Sequence, residues 1–230
     1  MGELYLVRHG QASFGSADYD ALSDLGREQA EVVGEHLMAE VKVDQVISGS
    51  LSRQKDTAAA YLKRYGQQPP ELIIDPGFNE FPAELIMAHY LPYILEKRSD
   101  LKDLLAKEDH RKHFNKVFFP IIDAWIAGEY PADNIETFAH FKERVHSAMD
   151  RLLEKSEKGQ KVAVFTSGGT ISMIMQKALS LPDKEVFQLN YKIANASVSK
   201  FFFRKDDLGL SYFNNFTHLR LAGDGLVTYK

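Results

Sequence analysis

Short apolar strand patterns alternating with amphipathic helical patterns constrain this chain more than any other feature. Strand-like runs occur at Leu4–Val7, Gln45–Ser48, Glu71–Asp75, Lys161–Thr166, Ser197–Phe203 and Leu210–Phe213. Ser23 is a suitable N-cap for a helix over Asp24–Glu40, in which Leu25, Ala30, Val33 and Leu37 share one face. A second helix is expected over Ser52–Tyr65. This alternation predicts an α/β fold in three layers, a mostly parallel sheet with helices on both faces. Only Lys205–Gly209 separates the last two runs, which predicts an antiparallel hairpin at an edge. The stretch from Pro82 to Asn134 breaks the pattern. It reads as a helical insertion, or cap, over the active-site end of the sheet, so that residues 1–230 form one domain with 82–134 inserted. The charged run Glu96–Lys116 reads as a solvated helix face. His110 and His113 lack a third ligand and read as surface residues.

Composition excludes several classes of function. The net charge of −4 offers no basic field for nucleic acid or an anionic membrane. Without cysteine there is no disulfide, thiolate nucleophile or thiolate metal site. No apolar run approaches the ~18 residues of a membrane span. The first residues show no basic-then-apolar leader, and Leu6 stands where a myristoylation signal needs Ser or Thr. A soluble cytoplasmic protein is the expectation.

Chemistry-bearing residues fall where the strands end, the edge at which open α/β sheets bind ligands. Arg8 and His9 follow the first strand and Arg53 the second; Glu80 follows the third after a Pro76-Gly77 turn. Thr166-Ser167-Gly168-Gly169-Thr170 follows the fourth and opens the next helix. A glycine-rich strand-to-helix turn exposes amides and the positive end of the helix dipole. It is not a Walker loop, since no Lys follows the glycines, nor a nucleophile elbow, since residue 165 is Phe. Alone, it fits a structural turn and an anion site equally. Arg8, His9, Arg53 and Glu80 each have an ordinary structural or surface reading too, but their joint placement points to a phosphoryl group. Two guanidinium groups would bind its oxygens, a neutral His9 would attack, and Glu80 would protonate the leaving oxygen.

Leu6-Val7-Arg8-His9-Gly10-Gln11 resembles the signature of the histidine phosphatase superfamily, in its phosphoglycerate mutase-like branch. Leu22–Ala30 is similar to the helix that follows the signature there, and Ser50–Ala58 to the segment bearing the second phosphate-binding arginine. Phe78-Asn79-Glu80-Phe81 resembles the acid-bearing turn, Glu136–Phe138 with Arg144-Val145 a later helix, and Asn215–Leu219 a common ending. The resemblance implies a phosphohistidine on His9, with Glu80 as acid and then base. Arg8 and Arg53 would bind phosphate, with no metal and no cofactor. It also implies a second histidine after the fourth strand, where this chain has Ser167. A hydroxyl can still donate, as can the Gly168 amide, but neither brings charge. Losing such a donor typically costs about 10²–10³ in rate. His218 and His140 are the histidines that could take its place.

Three readings follow from the resemblance. The first is metal-independent hydrolysis of a small phosphorylated metabolite. The second is a phosphate-binding or regulatory protein whose turnover is weak without the second histidine. The third is a phosphoglycerate mutase-type transfer, for which no mutase-specific tract is found. Gln11 and Ser13 are candidates for the substrate pocket, in a segment running to Tyr19. Phe14, Tyr19, Tyr90, Tyr93, Phe114, Phe118, Phe119 and Trp125 fit an apolar pocket wall or a core. No nucleic acid or membrane partner is expected; a homo-oligomer is compatible with the sequence.

Overall fold

β1 (Gly2–Arg8) can run through the middle of a sheet because it is apolar on both sides: Leu4 and Leu6 face one way, Tyr5 and Val7 the other, and all are buried. In a computed structural model, which describes residues 1–13, 20–105, 114–205 and 207–229, it pairs with β4 (Lys161–Thr166) in parallel and with β5 (Val198–Arg204) antiparallel. With β2 (Gln45–Ser48), β3 (Leu72–Ile74) and β6 (Asp207–Asn215), the sheet formed by the described residues runs β3-β2-β4-β1-β5-β6. The first four in that order are parallel; β5 and β6 form the expected antiparallel hairpin at the edge. β6 starts three residues before the expected Leu210, because the ladder continues through Phe202↔Gly209, Phe203↔Leu208 and Arg204↔Asp207. Backbone pairing of this kind needs no apolar side chain and leaves no hydropathy signal.

Helices cover both faces. On one, Tyr5, Val7, Val46, Ala163, Phe165 and Val198 form a core with α1 (Asp24–Glu40), α2 (Ser52–Leu62) and α9 (Thr217–Ala222). On the other, α7 (Gly168–Leu179) meets β1 and β6. Ser23 caps α1 as expected, accepting from the Gly26 amide at 3.0 Å. A short 3-10 turn, Lys63–Tyr65, completes the helix expected to end at Tyr65.

The chain divides into two compact units, residues 1–80 with 144–230, and residues 81–143. The second holds α3 (Ala83–Lys97), α4 (Ser99–Leu105), α5 (Phe114–Ala127) and the start of α6 (Phe138–Lys155). It has its own aromatic core, with Trp125 against Phe81 at 5.2 Å and Phe138 at 5.3 Å between ring centroids. The Trp125 indole donates to Glu136 O at 2.9 Å. Tyr90 and Phe118 are also buried, whereas Phe119 is exposed. His110, His113, Phe14 and Tyr19 lie outside the described residues. No described helix is long and apolar enough to cross a membrane.

His218 on α9 is buried, stacks on His36 of α1 at 4.4 Å and donates from Nε2 to Ala196 O at 2.9 Å. Burial, followed by the neighbouring His36, brings its pKa down from 6.5 to about 4. Between those values the unfolded chain holds a proton that the folded chain refuses, so stability falls as pH drops from 6.5 towards 4. The loss should total on the order of 3 kcal/mol from this group. Urea unfolding across that range should show a shallower fall in His218→Gln; an unchanged slope would assign the acid limb to other groups.

Candidate active site

The His9 main chain is anchored on several sides. Its N–H extends the β1–β4 ladder by donating to Thr166 O at 2.9 Å. Its carbonyl accepts from Ala196 N at 3.1 Å, with Asn195 Nδ2 at 3.4 Å. Ala196 adopts a left-handed conformation, φ 53°, a strain that persists only where the surroundings enforce it. The next residue, Gly10, donates to Thr57 Oγ1 at 3.1 Å and crosses the first turn of α1 so closely that a Cβ would lie 2.2 Å from Gly26 O. Only glycine fits there.

These anchors hold the imidazole in one tautomer. Nδ1 lies 2.6 Å from Gly10 O, a pure acceptor, so Nδ1 carries the proton and Nε2 keeps its lone pair. Arg53 Nε donates to that lone pair at 3.2 Å. Burial, then the charges of Arg53 and Arg8, hold the His9 pKa well below the ordinary histidine range. His9 is therefore a neutral imidazole with its lone pair on Nε2.

Arg53 sits in the first turn of α2 and is steered by Asp20. Its Nη1 donates to Asp20 Oδ1 at 2.7 Å, while Asp20 Oδ2 accepts the Ser52 amide at 2.7 Å and caps the helix. Arg8 donates from Nη1 to Ile193 O. Both guanidinium groups are mostly buried beside the imidazole.

Glu80 follows a 3-10 turn, Pro76–Phe78, capped by Asp75. Phe78 O accepts from Thr166 Oγ1 at 2.6 Å and Gln54 Nε2 at 3.2 Å. Asn79 O accepts from Thr170 Oγ1 at 2.8 Å and Arg144 Nη1 at 3.0 Å. With the backbone so held, Glu80 Oε2 accepts from the Gly169 amide at 2.9 Å. The carboxylate thus lies at the positive end of α7.

The structure brings Arg8, His9, Arg53 and Glu80 to the C-terminal sheet edge, as expected. Ser167 occupies the N-cap position of α7, is fully buried, and accepts from Gln54 Nε2 at 2.8 Å. Gly168 packs on Asn190, whose Oδ1 would stand 2.3 Å from an added Cβ. Gln11 donates its amide to Gln29 Oε1 at 2.7 Å and accepts from Ser23 Oγ at 3.1 Å through its own Oε1; the Ser13 amide donates to Ala21 O at 2.9 Å. His218 is taken up by Ala196 O, and His140 is exposed in the other unit. Sequence reasoning missed Asp20 and Gln54. For Gln54 a signal existed: Arg53, Gln54, Thr57, Ala58 and Tyr61 recur at helical spacing and are all buried, so polar residues occupied a core stripe.

The histidine phosphatase superfamily (branch 1) model matches residues 4–215. The chain belongs to that superfamily. It is similar to phosphoglycerate mutase-like protein 4 of Arabidopsis thaliana, at 26% identity over 96% of this chain and 88% of the relative. YhfR of Bacillus stearothermophilus shares the fold with a TM-score of 0.69 at 20% identity, over 95% of this chain and 99% of that one. So does a phosphoserine phosphatase of Entamoeba histolytica solved with 3-phosphoglyceric acid, with a TM-score of 0.64 at 19% identity over 95% and 100% of the two chains. Within this superfamily fold, Ser167 is enclosed by the Gln54 amide. A larger side chain there must displace its neighbours, which costs about 1–3 kcal/mol. Ser167→His should therefore lower the midpoint of thermal unfolding; an unchanged or higher midpoint would show that the space is free.

Proposed function

We propose that this chain hydrolyses phosphomonoesters of small metabolites through a phosphohistidine on His9, without a metal ion. The observation that carries the proposal is the ring of His9, neutral, with Nδ1 protonated onto Gly10 O and Nε2 facing Arg53. An incoming phosphoryl group offers Arg53 and Arg8 stronger acceptors than an imidazole lone pair, which frees Nε2 for in-line attack. The Nε2–P bond forms as the ester P–O bond breaks, and Glu80 gives its proton to the leaving oxygen. The Glu80 carboxylate then takes a proton from water, whose oxygen displaces His9 from phosphorus and releases inorganic phosphate. Two developing charges are matched by groups already in place, the arginines for the phosphoryl oxygens and Glu80 for the alkoxide. The family holds proteins named for phosphatase and for mutase-like activity, and hydrolysis is the reading that needs nothing beyond these residues and water.

A second reading, phosphate binding with little turnover, is favoured by one observation: the position after β4 carries an enclosed, neutral Ser167. Hydrolysis of p-nitrophenyl phosphate from pH 4.5 to 8 with EDTA separates the two. Turnover that survives the chelator and falls at least about 10³-fold in His9→Ala supports hydrolysis. No turnover, with inorganic phosphate raising the unfolding midpoint, supports the binding protein. Glu80→Gln should slow alkyl phosphates, with their basic leaving groups, by about 10²-fold or more and p-nitrophenyl phosphate much less. Equal losses would remove Glu80 from the acid role.

A further inference from the structure

We propose that Gln54 is a positioning residue that sets the place of the Glu80 carboxylate. Its side chain is fully buried, and its Nε2 makes both hydrogen bonds available to it, to Phe78 O at 3.2 Å and Ser167 Oγ at 2.8 Å. The amide orientation follows from Phe78: the reverse would press Oε1 against a carbonyl oxygen. Oε1 has no partner among the described residues and lies over Gly49, where a Cβ would stand 2.0 Å from it. A buried acceptor without a partner costs stability.

The two acceptors identify its role. Phe78 lies two residues before Glu80, and Ser167 two residues before Gly169, whose amide holds Glu80 Oε2. A closed circuit results, running from Gln54 to Phe78, along the chain to Glu80, across to Gly169, back to Ser167 and so to Gln54. The amide spans the two supports of the carboxylate, the backbone that delivers it and the helix end that receives it. Gln54 is also the residue after Arg53, so one turn of α2 holds both the cation on His9 and the brace for the acid. On this geometry Ser167 acts through Gln54 and Gly169 as part of the brace.

The assignment of Glu80 as the acid rests on the hydrolytic reading above; its placement by Gln54 does not. The test is Gln54→Met, which keeps the volume, removes the two donors and also removes the unpaired oxygen. Phe78 O keeps its bond to Thr166, so the unfolding midpoint should stay within a few degrees of wild type. The 15N–1H signal of Gly169, followed from pH 3 to 8, reads the carboxylate bonded to it in either protein. In Gln54→Met its titration should shift or vanish, and alkyl phosphates should lose about tenfold more rate than p-nitrophenyl phosphate. A Gly169 titration identical to wild type would overturn the proposal. A changed titration with an unchanged ratio of rates would uphold the placement and remove Glu80 from the acid role. If the wild type shows no turnover dependent on His9, the hydrolytic reading fails and the Gly169 signal alone decides. Should Gln54→Met not fold, Ser167→Ala releases one end of the same brace and is read in the same way.

Discussion

Two guanidinium groups buried beside one imidazole are the constraint on which the rest of this site depends. Charge out of water is costly unless it is matched by hydrogen bonds and counter-charge. The chain meets that demand locally: Asp20 accepts from Arg53, Ile193 O from Arg8, and the lone pair of His9 from Arg53 Nε. Burial, and then the two cations, keep His9 from taking up a second proton, so the ring stays neutral. The same arrangement suits the proposed phosphoryl group, whose oxygens are stronger acceptors for Arg53 Nε than the imidazole lone pair.

The backbone around His9 explains how this arrangement is kept. β1 lies between β4 and β5, so the residue that follows it is held from both sides, by Thr166 O and by the strained Ala196. Behind it, Gly10 and Gly26 bring the loop and α1 into backbone contact, and Gln29 ties Gln11 to the C-terminal segment through Leu226 O and Thr228 Oγ1. Side chains mounted on backbone held this well lose little freedom when a ligand arrives.

The glycine-rich turn after β4 has a partner within the protein. The first turn of its helix donates the Gly169 amide to Glu80 Oε2. A helix N-terminus that receives Glu80 fixes where its carboxyl group lies. The proposed phosphate ligands include the guanidinium groups, whose bidentate geometry suits the task.

The sequence by itself determined the layered α/β architecture, because strand and helix periodicities alternate cleanly over Leu4–Tyr65 and again from Lys161. It also determined that Arg8, His9, Arg53 and Glu80 share one sheet edge, since each lies at or shortly after the end of a strand and parallel strands end on the same side. The family was legible for the same reason, its motifs being ordered along the chain. What lies beyond that needed tertiary structure. Asp20 and Gln54 act through partners 33 and 113 residues away, Arg53 and Ser167, and no local pattern encodes such a pairing. The tautomer of His9 and the enclosure of Ser167 depend on which polar atoms meet in the interior. The chain order lists those groups, but only packing decides which of them touch.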